Sequence, residues 1–117
     1  MDLESFQQFC LNLNGVTEEM PFGDTTLVYK VAGKMFALTG IETFSSINLK
    51  CDPEMAIELR ERYQAVQPGY HMNKQHWNTV LIDYSIPDKL LLEWTKNSYD
   101  LVVAKLPASV REALANK

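Results

Sequence analysis

The residues best equipped for chemistry sit in one stretch, Gly69-Tyr70-His71-Met72-Asn73-Lys74-Gln75-His76-Trp77-Asn78-Thr79-Val80. Imidazoles there can carry protons near neutral pH or ligate a metal. Two features argue against a metal. His71 and His76 lack the i, i+4 spacing of a helical pair, and Lys74 between them would repel a cation. No third ligand is placed beside them, so neither a metal nor another cofactor is expected. The other groups suit a different task. Asn73, Lys74 and His76 are donors that can meet phosphates and base edges. Tyr70 and Trp77 carry faces on which a base could stack. Trp77, just ahead of an apolar run, is expected to anchor the stretch in the core.

Nucleophilic and acid–base chemistry find less support. Cys51 precedes a helix start, where the dipole would favour a thiolate, but Asp52 and Glu54 add opposing charge. Cys10 falls in an apolar stripe. Both are expected as reduced, packed thiols of a cytoplasmic protein. Glu18-Glu19 and the Asp83/Asp88 pair are expected to be solvated or to cap backbone. The five glycines are isolated, so no phosphate-cradling loop is present. No catalytic residue is assigned and the chain is not expected to be an enzyme. A small-ligand site built from the His71–His76 loop over a pocket is the least supported reading.

Charge narrows the choice. Eleven Lys/Arg face fifteen Asp/Glu across 117 residues, a net charge of −4. Overall charge therefore makes the chain a poor candidate for tight non-specific nucleic-acid binding and leaves a local basic patch as the route to it. Local balance differs: Lys30, Lys34 and Lys50 fall in a segment with only Asp24 and Glu42, and residues 66–82 carry Lys74 and no acid. Apolar residues at 46% with 22% charged describe a globular chain. No run is long enough to span a membrane, and the first residues lack the pattern of an export signal. A cytoplasmic protein is expected.

Local patterns give the elements that must position these groups. Leu3, Phe6, Cys10 and Leu13 recur at helical spacing from Asp2, a potential N-cap, to Asn14. Residues 16–23 read as a loop. Thr25–Val31 and Lys34–Thr39 read as strands about an Ala32-Gly33 turn, with a third strand over Phe44–Lys50. Asp52-Pro53 starts a second helix, in which Ala56, Leu59 and Tyr63 face inward and Arg60 faces water. Thr79–Ile82 is a further strand. Pro87 opens a helix whose buried stripe is Leu91, Trp94 and Leu101, and Pro107 starts a short last one. The order α-β-β-β-α-β-α-α, with one more short strand allowed near Tyr70, describes a single α+β domain over 1–117. An antiparallel sheet would carry helices on one face.

The Tyr70–Trp77 run resembles the signature of the MmcQ/YjbR family. Pro21-Phe22-Gly23, Asn48–Glu54 and Ser98–Pro107 match the family's other segments in the same order. The resemblance implies a fold similar to the type III secretion chaperone-like, YjbR-like fold. It also implies a "double-wing" DNA-binding protein with no defining activity or cofactor. The expectation is a small non-enzymatic module binding DNA with modest, salt-sensitive affinity. Its candidate contacts are Lys30, Lys34, Lys50, Asn73, Lys74 and His76, with Trp77 as structural anchor. Glu42 in the second turn would oppose such a surface. The alternative is a chaperone-like protein-interaction module that does not bind nucleic acid.

Overall fold

A computed structural model describes residues 1–70 and 72–116. His71, whose role the sequence leaves open, lies outside the described residues, as does Lys117. The elements run α1 (Leu3–Leu11), β1 (Val16–Glu19), β2 (Thr26–Val31), β3 (Lys34–Gly40), β4 (Ser46–Lys50), α2 (Pro53–Arg62), β5 (Val66–Pro68), β6 (Trp77–Leu81), α3 (Asp88–Ala104) and α4 (Ala108–Ala115). The strands form one antiparallel sheet in the order β1-β2-β3-β4-β6-β5.

Local chemistry sets most of these bounds. The Asp2 carboxylate accepts from the Ser5 amide at 2.8 Å and starts α1. Asp52 does the same for Glu54 and Met55 at 3.2 and 3.3 Å, with Pro53 in the first helical position. Helix α1 stops at Leu11, short of the expected Asn14. Ala32 and Gly33 both take left-handed backbone (φ 51° and 79°), which the two-residue turn between β2 and β3 demands.

Two elements depart from the sequence reading. The expected loop over residues 16–23 contains β1, and the short strand suspected near Tyr70 lies earlier, at β5. These are the two edges of the sheet. Glu18 in β1 is not simply solvated either. It accepts from Tyr29 Oη at 2.9 Å and Gln7 Nε2 at 2.8 Å, closing the top of the core over a buried phenol. Burial first, then that carboxylate, pushes the Tyr29 hydroxyl well above its ordinary pKa. Both cysteines are free thiols, Cys10 buried and Cys51 half-buried, and burial pushes both upward.

The main core lies between the sheet and the helices. Phe6, Tyr29, Val31, Phe36 and Ile47 are fully enclosed there, each contributing roughly 1.5–3 kcal/mol by burial. Phe6 meets Tyr29 edge-on at 5.8 Å, and Phe36 meets Tyr99 at 5.4 Å. Helix α3 crosses β2, β3 and β4, α1 packs on β1 and α3, and α2 packs on β5. The buried residues of α3 are Leu91, Thr95, Ser98, Tyr99 and Val102, whereas Trp94 and Leu101, expected inside, are half-buried. The wide apolar face of α3 serves two surfaces at once, the sheet and the gap beside α2. A smaller cluster, Val28, Leu38 and Trp77 with Met35 and Met72, occupies the other face of the sheet. Among the described residues no helix is long and apolar enough to cross a membrane.

Candidate nucleic-acid interface at one end of the sheet

Strand register decides which candidate residues meet. Val31 stands opposite Lys34, Lys50 opposite Trp77, and Pro68 opposite Asn78. The finish of β2, the start of β3, the finish of β4 and the start of β6 therefore share one end of the sheet. Lys30, Lys34, Lys50 and the β5–β6 loop with Asn73, Lys74 and His76 all gather there. At ~4.8 Å per strand, the row from β2 to β6 spans roughly 14 Å. The opposite end receives Asp24 between β1 and β2, Glu42 between β3 and β4, and Asp83 after β6, while Glu19 stands opposite Val28 in the middle of β2. Glu42 is thus on the far end from the lysines. Asp52 and Glu54 are the acids that follow Lys50 in the chain, and Asp52 is engaged in capping α2.

Convergence at the basic end includes a residue the sequence did not single out. Lys105 caps α3 and is exposed. Ser98, about two turns earlier, pins that helix onto the sheet. Its hydroxyl donates to the Phe36 carbonyl at 2.5 Å and accepts from the Lys50 amide at 2.8 Å. Partial burial lowers the Lys50 pKa, and the like charges of Lys105 and Lys34 lower it further. Three cations from three elements therefore share one corner. The advance sign was Ser98, a small polar residue that with Thr95 interrupts the apolar buried face of α3.

The remaining candidates are bound up in structure to different degrees. Lys30 is half-buried and pairs with Glu19 at 3.4 Å. Lys74 turns its ammonium onto the Gly69 carbonyl at 3.0 Å, which leaves its charge at this end. The Asn73 side chain accepts from the Gln75 amide at 2.9 Å, while its carbonyl accepts from the Trp77 amide at 2.9 Å and the His76 amide at 3.2 Å. His76 is half-buried, and its carbonyl receives the Cys51 amide at 2.7 Å. Trp77 is 8% exposed and packs on the face away from the helices, not in the main core.

Arg60 corrects the expectation that it faces water. It is half-buried, donates through Nε to Asn78 Oδ1 at 2.7 Å, and its guanidinium also reaches the carbonyls of Lys74 and Trp77. Asn78 in turn donates to the Ala56 carbonyl at 3.3 Å. The i, i+4 spacing of Ala56 and Arg60 puts both on the inward face of α2, a signal present in the sequence. Gly69 completes the brace. A Cβ there would lie 2.8 Å from Trp77 Cβ and 2.9 Å from its carbonyl oxygen. Across the other face, Thr79 donates to Asn48 Oδ1 at 2.5 Å and accepts from the Tyr70 amide at 2.9 Å.

Other chemistry has little to work with at this end. Among the described residues no three His, Cys, Asp or Glu side chains gather where they could hold a metal. A cavity of about 530 Å³ lies between α2 and α3; Lys50 and Cys51 line it and His76 does not.

Comparison with known proteins agrees with this architecture. The YjbR family model matches residues 11–101. The chain is 37% identical to protein YbdF of Escherichia coli O157:H7 over 101 residues, covering 86% of this chain and 83% of the relative. It is 31% identical to YjbR of Escherichia coli K12 over 115 residues, covering 97% and 98%. A Deinococcus radiodurans crystal structure with the DUF419 domain superposes with a TM-score of 0.91 at 39% identity, covering 97% of this chain and 87% of that one. A Pseudomonas syringae crystal structure gives a TM-score of 0.72 at 26% identity, covering 86% and 98%.

Proposed function

The chain belongs to the YjbR family, and from the sorting of charge along its strands we propose that it is a non-enzymatic cytoplasmic module that contacts the phosphate backbone of DNA. The observation that supports this reading most is the register that collects Lys34, Lys50 and the Lys74 loop at one end of the sheet while Glu42 and Asp24 go to the other. Lys105 adds a fourth cation to the same corner. A duplex carries one charge per ~1.7 Å of axis, so an edge of this width faces several phosphates. Lys30 is spent on Glu19 and Lys50 is half-buried, so about three phosphate contacts, from Lys34, Lys74 and Lys105, are realistic. Binding is therefore weak and dominated by backbone charge. Anisotropy of a labelled duplex titrated with the protein at two salt concentrations tests this. Salt-sensitive binding lost in Lys34→Glu supports it, and absence of salt-sensitive binding at micromolar protein removes it.

A protein-interaction reading rests on a different place. Met20 and Phe22, in the connection between β1 and β2, are 43% and 62% exposed. A protein partner would cover this apolar pair, which lies toward the acidic end. A Phe22→Ser substitution that abolishes capture of a partner while duplex binding persists would favour that reading.

A further inference from the structure

We propose that the cleft between α2 and α3 is a binding site for a small amphipathic carboxylate, with its apolar body between the helices and its head at Lys50. Its volume of about 530 Å³ falls in the range of small-ligand sites, about 300–1,000 Å³. The walls are apolar and aromatic: Leu49, Leu59, Tyr63, Val80, Trp94 and Leu101. Tyr63 and Trp94 meet edge-on at 5.2 Å and close one end. Leu59, Tyr63, Trp94 and Leu101 are half-buried residues from α2, its C-cap and α3, and the buried Leu49 and Val80 belong to β4 and β6 beneath them. A ridge of aromatic and leucine side chains left facing a gap between two helices costs hydration unless something apolar fills it.

Charge at the other end selects the head group. Lys50 lines the cleft, is partly withdrawn from water, and is crowded by Lys34 and Lys105. An anion there would relieve that crowding. The neighbouring carboxylates are already engaged: Asp52 caps α2, and Asp100 pairs with Lys96 at 2.5 Å. Burial holds the Cys51 thiol toward its neutral form, so it adds no competing charge. Glu93 and Arg62, the remaining charged lining residues, fall on the turns of α3 and α2 that hold Trp94 and Tyr63, away from Lys50.

The site shares Lys50 with the DNA reading but does not depend on it. Amide chemical shifts of the full chain, titrated with decanoate and separately with decanol, test it. Decanoate should perturb α2, α3 and the Lys50–Asp52 turn, and bind at least about tenfold more tightly than decanol, as a charge-assisted contact permits. Lys50→Gln should erase that difference while leaving decanol binding unchanged. Ala104→Trp, an exposed lining position whose enlargement fills the cleft without touching the core, should block both probes with the fold intact by circular dichroism. Equal affinity for the two probes, shifts outside the cleft, or undiminished binding in Ala104→Trp would overturn the proposal. So would a concentration-dependent dimer protecting the α2 and α3 amides, which assigns the cleft to a second copy. Loss of duplex binding in Lys34→Glu with decanoate binding retained separates the two sites.

Discussion

The two ends of the sheet are made by the same strands, yet they carry opposite chemistry. At one end stand Lys34, Lys50, Lys74 and, from the C-cap of α3, Lys105; at the other stand Asp24, Glu42 and Asp83. In an antiparallel sheet each hairpin turn reverses the chain, so alternate connections fall at alternate ends. Lysines near the β2–β3 and β5–β6 turns are thereby separated from the acids of the β1–β2 and β3–β4 turns. A net charge of −4 describes neither surface. Near the molecule, the field of each end matters more than the sum, because screening at physiological salt acts within about 8 Å.

The basic end is also the better braced of the two, and breaking the brace should give the largest effects. Gly69→Ala forces a methyl against the Trp77 side chain and carbonyl. It should cost about 3 kcal/mol, read as a lower urea midpoint at unchanged slope. Duplex binding should fall with it, because the Lys74 loop hangs on that contact. An unchanged midpoint would mean the loop and Trp77 are not in close contact. Arg60→Met should come next, losing about 2 kcal/mol by leaving Asn78 and two loop carbonyls short of a charged donor. A loss no larger than that of a surface arginine would return Arg60 to the water-facing role its helix position first suggests.

A subtler measurement sharpens the comparison without unfolding anything. The Lys50 ammonium should titrate below its ordinary value of 10.5, through burial first and then Lys105 and Lys34. Because the folded value is the lower one, the unfolded chain binds the extra proton between the two values. The penalty is therefore full below the folded pKa and is relieved as pH rises through it. Lys105→Gln and Lys34→Gln should each move the Lys50 midpoint upward by carbon-detected NMR. Insensitivity to both would mean that the three lysines do not share a corner.

Much of the fold was legible because its signals are local. The α1 stripe, the Asp52-Pro53 start, the Ala32-Gly33 turn and the β2–β4 meander follow from periodicity, capping and turn chemistry. The two missed or misplaced strands are edges. Val16-Thr17-Glu18-Glu19 reads as a polar loop because an edge strand is short and charged, which keeps its open side from pairing with another chain. Its carboxylate found a buried tyrosine eleven residues away, a contact no local pattern reveals. Arg60 was misread because the apolar residues of α2 are spread round the helix, Met55 and Ile57 exposed and Ala56 buried, so its charge outweighed its i, i+4 spacing to Ala56. The candidate lysines were visible one by one. Their gathering was not, because it depends on register across four strands and on where α3 comes to rest, which Ser98 fixes through Phe36 and Lys50.

The central claim is that one end of the sheet, and not the other, meets the phosphate backbone. Its most direct test is the salt dependence of duplex binding for matched charge reversals at the two ends. The account predicts that the logarithm of the binding constant falls against that of salt with a slope of about −3, that Lys34→Glu flattens the slope and abolishes binding, and that Glu42→Lys changes neither. Binding that is independent of salt, or that rises as steeply on reversing Glu42 as it falls on reversing Lys34, would contradict it.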